Sequence, residues 1–106
     1  MRELRPTELL AYLATTDEVP LLLDVREPWE FDICRLPDSQ LIPMGQLLLQ
    51  LDSLSPERET VVICHHGIRS RVVAMQLERV GFDRVINLAG GMEAWAREVD
   101  RDMPVY

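Results

Sequence analysis

The sequence contains no lysine: all eleven basic side chains are arginine, set against eighteen aspartates and glutamates. The net charge of −7 argues against general affinity for nucleic acid or an anionic membrane, both of which favour a basic face. An acidic chain still binds a small anion where arginines and backbone N–H groups converge on one pocket. Cysteine is also scarce, and Cys34 and Cys64 make at most one bridge. Disulfides are not needed, because a 47% hydrophobic composition supplies a core. No apolar run approaches membrane-spanning length, and no basic start followed by an apolar stretch marks a secretion signal. A reducing, cytoplasmic setting is therefore expected, with no membrane partner. There a cysteine is more often a reactive or packed thiol than half of a disulfide. Low-complexity runs and internal repeats are absent, and the length fits one compact domain expected to span residues 1–106.

Strand and helix signals alternate along the chain. Pro6-Thr7-Glu8 reads as a helix start with Thr7 as N-cap, followed by Leu9, Leu10 and Leu13 at helical spacing. Leu21-Leu22-Leu23-Asp24-Val25 reads as a strand apolar on both faces, the kind that parallel sheets covered by helices require. Pro28-Trp29-Glu30-Phe31 predicts a short helix, Leu36-Pro37-Asp38-Ser39 a turn, and Gln40-Leu41-Ile42 a small strand stopped by Pro43. Leu47, Leu51 and Leu54 suit a helix after Gly45. Thr60-Val61-Val62-Ile63 is a β-branched strand that runs straight into Cys64. Ser70 is expected to cap a helix with Val73, Leu77 and Val80 on its inner face, ended by Gly81 at C′. Val85-Ile86-Asn87-Leu88 gives a last strand, and Gly90-Gly91 leads into a helix that buries Met92, Trp95 and Val99. This alternation predicts an α/β fold with a mainly parallel sheet and right-handed crossovers.

Ligands of open α/β sheets bind beyond the carboxyl ends of the strands, and Cys64 sits at such an end. Gly67 permits a tight turn with N–H groups directed inward, and the following helix adds free N–H groups and a partial positive charge. Arg69 is expected to add a full charge. Each feature favours an anion at the loop centre, and thiols in such settings are more readily ionised. The same cradle suits the terminal sulfur of a persulfide. Sulfur transfer then needs only attack by the thiolate, N–H groups to hold the persulfide, and a second nucleophile, with no metal or organic cofactor.

The stretch Val61-Val62-Ile63-Cys64-His65-His66-Gly67-Ile68-Arg69-Ser70 resembles the active-site segment of single-domain rhodanese-like sulfurtransferases. Two further stretches match that family in order: Leu22-Leu23-Asp24-Val25-Arg26-Glu27 with Trp29-Glu30-Phe31, and Asn87-Leu88-Ala89-Gly90-Gly91-Met92-Glu93-Ala94-Trp95. With Leu41-Ile42-Pro43 between them, the resemblance covers nearly the whole chain. It implies a rhodanese-like fold, a five-stranded sheet flanked by helices on both faces. It also implies Cys64 as the persulfide-forming nucleophile and His65, His66, Gly67, Ile68 and Arg69 as the sulfur-binding loop. The implied partners are a small anionic sulfur donor, with thiosulfate as the usual test compound, and a thiol or protein acceptor that cyanide replaces in vitro. Asp24, Arg26 and Ser70 would support the pocket. For Asp24 and Arg26, a purely structural role, as a buried ion pair or a capping carboxylate, is favoured over a part in the pocket.

The family more often carries a Gly-His-Ile-Pro-Gly-Ala-like stretch where this chain has Cys34-Arg35-Leu36-Pro37-Asp38-Ser39, so Cys34 is an extra thiol, expected as a packed or solvent-exposed bystander in preference to a resolving partner. His65 and His66 are expected to line the pocket rim. Zinc needs about four convergent ligands, adjacent residues on a tight loop usually diverge, and no metal is expected. Phosphatases related in fold carry one more residue between cysteine and arginine than the four that separate Cys64 from Arg69. The tighter loop suits one sulfur atom better than a phosphoryl group, so a phosphatase or arsenate reductase is disfavoured. The same fold also accommodates a sulfur carrier or a non-catalytic regulatory module, and both stay open at the level of sequence.

Overall fold

The computed structural model describes residues 1–106. Five strands, β1 (Arg2–Leu4), β2 (Leu21–Asp24), β3 (Gln40–Leu41), β4 (Thr60–Ile63) and β5 (Val85–Leu88), form one sheet in the order β1-β5-β4-β2-β3. Every pairing is parallel, with Leu22 opposite Val61 and Val61 opposite Ile86 across the centre. The helices are α1 (Pro6–Thr15), α2 (Pro28–Ile33), α3 (Leu47–Gln50), α4 (Ile68–Arg79) and α5 (Gly91–Glu98).

The central strands are buried throughout because both faces are covered. Leu21, Leu23 and Val62 point into one apolar cluster, closed by Leu47 ahead of Val73 and Leu77 of α4. Leu22, Val61 and Ile63 alternate into a second, closed by Leu9 of α1 and by Met92 and Trp95 of α5. A fully buried leucine or isoleucine in either layer contributes roughly 1.5–3 kcal/mol. The architecture is thus α/β with an all-parallel five-stranded sheet. None of the helices is long and apolar enough to cross a membrane.

Several local expectations are corrected. Strand β1 is an addition: its three residues bury only Leu4, so hydrophobic patterning gives no signal. Arg5, not Thr7, precedes α1, and its backbone N–H donates to the Glu8 carboxylate at 2.8 Å. Leu10 and Val80 face solvent. The helix expected after Gly45 is a single α-turn, α3, between 3₁₀ turns at Met44–Gln46 and Leu51–Ser53. Helix α4 begins at Ile68 behind Gly67, whose φ of 89° makes it the N-cap, so Ser70 lies inside the first turn. Gly81 does end α4 with a positive φ.

Seven polar side chains are buried: Asp24, Arg26, Glu30, Glu59, Thr60, Ser70 and Asn87. Burying such groups costs free energy unless each is paired. Most are linked by hydrogen bonds at the carboxyl ends of the central strands, around Cys64.

Candidate active site

Cys64 follows the last residue of β4 and is 1% exposed. Its Sγ accepts hydrogen bonds from the backbone N–H groups of Gly67 at 3.1 Å and Ser70 at 3.3 Å. Two amide dipoles aimed at one sulfur stabilise negative charge there. The Gly67 turn that delivers them needs glycine twice over. Its φ lies in the left-handed region, and a Cβ would come within 2.9 Å of the Gly90 nitrogen.

The start of α5 buttresses the loop from behind. The N–H groups of Met92 and Glu93 donate to the carbonyls of Cys64 at 2.9 Å and His65 at 3.1 Å. A Cβ on Gly91 would lie 2.4 Å from both carbonyl oxygens, so only glycine lets the helix approach this closely. The second glycine motif therefore shapes the loop as well as opening a helix.

Ser70 Oγ sits 3.3 Å from Cys64 Sγ, and its hydroxyl donates to Asn87 Oδ1. Asn87 is fully buried in β5. Its side-chain amide donates to the Gly67 carbonyl at 3.2 Å and to Glu3 of β1. With both amide protons directed at acceptors, the Asn87 oxygen is held toward Ser70. A chain of hydrogen bonds thus runs from Cys64 to the strand edge.

The structure revises the picture of Arg69. Its guanidinium forms a two-pronged pair with the Glu30 carboxylate, so its charge is largely countered instead of standing free at the loop centre. The Arg69 hydrogen bonds hold Glu30 down at about 2, against the opposing effect of burial. Glu30 in turn raises Arg69. Tyr106 donates its hydroxyl to Glu30 at 2.8 Å and accepts from Arg26 Nη1 at 2.8 Å. Burial raises the Tyr106 phenol well above its ordinary value.

Asp24 and Arg26 form a fully buried pair, Nη2 to Oδ2 at 2.8 Å. Arg26 also donates to the Cys34 carbonyl at 2.6 Å. Burial would push Arg26 down, but the Asp24 and Tyr106 hydrogen bonds prevail and raise it. These contacts are those of a structural ion pair. Cys34 is buried in the sheet layer opposite Cys64, with Sγ 3.7 Å from Arg26 Nη1, and both thiols are free.

The two histidines do not diverge. Their ring centroids are 4.1 Å apart, edge to face. His66 Nε2 lies 2.6 Å from Glu93 Oε2, and the Tyr106 ring packs over His65 at 4.1 Å. Burial, helped by the neighbouring His66, lowers the His65 pKa and favours its neutral form. The Ile68 side chain points to solvent, so it contributes to the loop through its backbone alone.

Of the expected site residues, Gly67 and Ser70 are thus brought onto Cys64 Sγ, while Arg69 turns to Glu30, His65 and His66 lie against Tyr106 and Glu93, and Asp24 and Arg26 pair with each other. Glu30, Asn87, Glu93 and Tyr106 join the site without having been expected there as functional residues. The available signal is strongest for Asn87, a polar side chain inside an otherwise apolar strand.

Residues 5–98 match the Rhodanese-like domain family. The chain is 35% identical over 97 residues to a sulfurtransferase of Allochromatium vinosum, covering 92% of this chain and 90% of that protein. It is 39% identical over 89 residues to Rhodanese-like/PpiC domain-containing protein 12, chloroplastic, of Arabidopsis thaliana, covering 80% of this chain but only 30% of that longer protein. A rhodanese-like domain protein from Staphylococcus aureus superposes with a TM-score of 0.82 at 29% identity, over 93% of this chain and 95% of the other. The ordered motifs around Cys64, the parallel sheet and these similarities agree: the chain belongs to the rhodanese-like domain family.

Proposed function

We propose that residues 1–106 act as one sulfurtransferase domain that carries sulfane sulfur on Cys64 as a persulfide. The Cys64 thiolate attacks the outer sulfur of a donor such as thiosulfate. An S–S bond forms at Sγ, the donor's own S–S bond breaks, and sulfite leaves with the electron pair. An acceptor then attacks the outer sulfur of the persulfide and returns Cys64 as thiolate. Cyanide serves in vitro, yielding thiocyanate, and a thiol or protein thiol is the acceptor in a reducing, cytoplasmic setting. Charge and atoms balance in both steps, and neither needs a cofactor.

The observation that carries this reading is the pair of N–H groups, from Gly67 and Ser70, aimed at the buried Sγ. They favour a sulfur anion whether it is thiolate or the nearby end of a persulfide. His65, His66, Gly67, Ile68 and Arg69 frame the donor's approach, and Ser70 holds the nucleophile. The short loop and the occupied Arg69 argue against a phosphatase, because a phosphoryl group needs more room and a free guanidinium.

The test is to incubate reduced protein with thiosulfate and weigh it intact. One added sulfur atom is expected on Cys64, removed by cyanide with release of thiocyanate, and absent in Cys64→Ser. Failure of the wild-type protein to take up sulfur from thiosulfate or from a small-molecule persulfide would overturn the proposal. Cys64-dependent hydrolysis of an aryl phosphate would favour the phosphatase instead.

A further inference from the structure

We infer that His65, His66 and Glu93 form a binding site for a zinc-type divalent cation at the rim of the Cys64 loop. One ring nitrogen from each histidine and one Glu93 carboxylate oxygen lie within 4.8 Å of one another. Ligand atoms about 2.1 Å from a shared zinc stand about 3.4 Å apart at tetrahedral angles. The widest separation must therefore close by up to about 1.4 Å, and the 2.6 Å contact between His66 and Glu93 must open by about 0.8 Å. Side-chain rotation supplies both changes, because the His66 and Glu93 side chains are 56% and 44% exposed.

The backbone that carries the ligands is fixed. The Glu93 N–H donates to the His65 carbonyl, and the Met92 N–H donates to that of Cys64, which locks loop and helix together. Two imidazoles and a carboxylate are the donor set that zinc and copper(II) prefer over calcium or magnesium. A separate observation points the same way. His65 Nδ1 is a buried side-chain nitrogen that no protein group satisfies, and uncompensated burial of this kind is rare.

The charges facing the site are mixed. Arg97 Nη1 stands 3.7 Å from the other Glu93 oxygen and opposes a cation, as does Arg26 behind His65. Glu30 on the same side favours one. The ion would replace His66 as the partner of Glu93 and leave a coordination position open to water or an anion.

The test is a zinc titration of reduced protein in competition with a chromogenic chelator. The wild type and Cys64→Ser are expected to bind one zinc per chain with equal affinity. In the Cys64→Ser background, His66→Ala and Glu93→Gln should each weaken binding by roughly tenfold or more. Both positions are exposed, and unchanged thermal unfolding without metal verifies that the variants fold. Absence of stoichiometric binding, loss of binding in Cys64→Ser, or affinity unaltered by both rim substitutions would each overturn the inference. Because binding is read without the nucleophile, the outcome is independent of sulfur transfer.

Discussion

Arg69 and Glu30 meet in a two-pronged ion pair, Nη1 to Oε1 at 2.7 Å and Nη2 to Oε2 at 2.8 Å, that ties the Cys64 loop to α2. Glu30 is buried, while Arg69 is about a third exposed. Removing the arginine leaves a buried carboxylate with fewer donors, which is costlier than losing a surface pair. Arg69→Met is expected to destabilise the fold by about 1–3 kcal/mol in urea unfolding. Arg69→Lys should fall between, since it restores charge without the fork.

The same pair sets an acid limit. Glu30 titrates at about 2 in the fold, against an ordinary 4.5. A depressed carboxylate stabilises the native state fully above its unfolded value, and that contribution is lost as pH falls through the folded one. The stability difference between wild type and Arg69→Met should therefore be constant near neutrality. It should shrink between about pH 4.5 and 2, as both proteins come to hold a protonated Glu30. Urea midpoints measured across that window check the prediction; a difference that widens on acidification would contradict it.

Two glycines with positive φ should respond very differently to alanine. At Gly91 a Cβ meets the Cys64 and His65 carbonyl oxygens at 2.4 Å, so Gly91→Ala must separate α5 from the loop. At Gly81 nothing lies within 4 Å, and only the backbone conformation is strained. Gly81→Ala is expected to cost about 1–2 kcal/mol and leave sulfur loading intact. Gly91→Ala should cost more and slow loading of Cys64 by thiosulfate even in the fraction that remains folded. Intact mass after timed exposure, alongside thermal unfolding, distinguishes the two.

The layers of the fold are legible in the sequence because they rest on periodicity. Leu21 to Asp24 and Thr60 to Ile63 are apolar enough to be strands covered on both faces, and they are. Strand β1 is not legible because a three-residue edge strand that buries one leucine carries no pattern; it exists through pairing with β5. Cys64 stands out because strand, cysteine, glycine and helix are contiguous in the chain. Glu30 does not, since its partner Arg69 is 39 positions away and a glutamate in a short helix reads as solvent-facing. Serine favours the cap position expected of Ser70, but Gly67, already left-handed, takes that place and frees Ser70 for the sulfur. Local geometry alone makes the two histidines diverge; α5, which brings Glu93 beside them, is a long-range contact.

Asn87 offers the sharpest test of how the buried polar chain supports Cys64. Its oxygen accepts from Ser70 and its amide donates to Gly67, so it holds two parts of the loop at once. Asn87→Ala should cost about 1–3 kcal/mol, the usual penalty for leaving buried partners unpaired. Asn87→Asp should be worse at neutral pH, because a carboxylate would face the Gly67 carbonyl and Glu3 where the amide now donates. Its deficit should ease on acidification, once a proton restores a donor. Ser70→Ala removes the same Ser70–Asn87 bond from the other side. The double variant Ser70→Ala/Asn87→Ala is therefore expected to lose less stability than the sum of the single losses. Urea unfolding of all four proteins measures this coupling. Strict additivity would show that Ser70 and Asn87 do not act through their shared hydrogen bond.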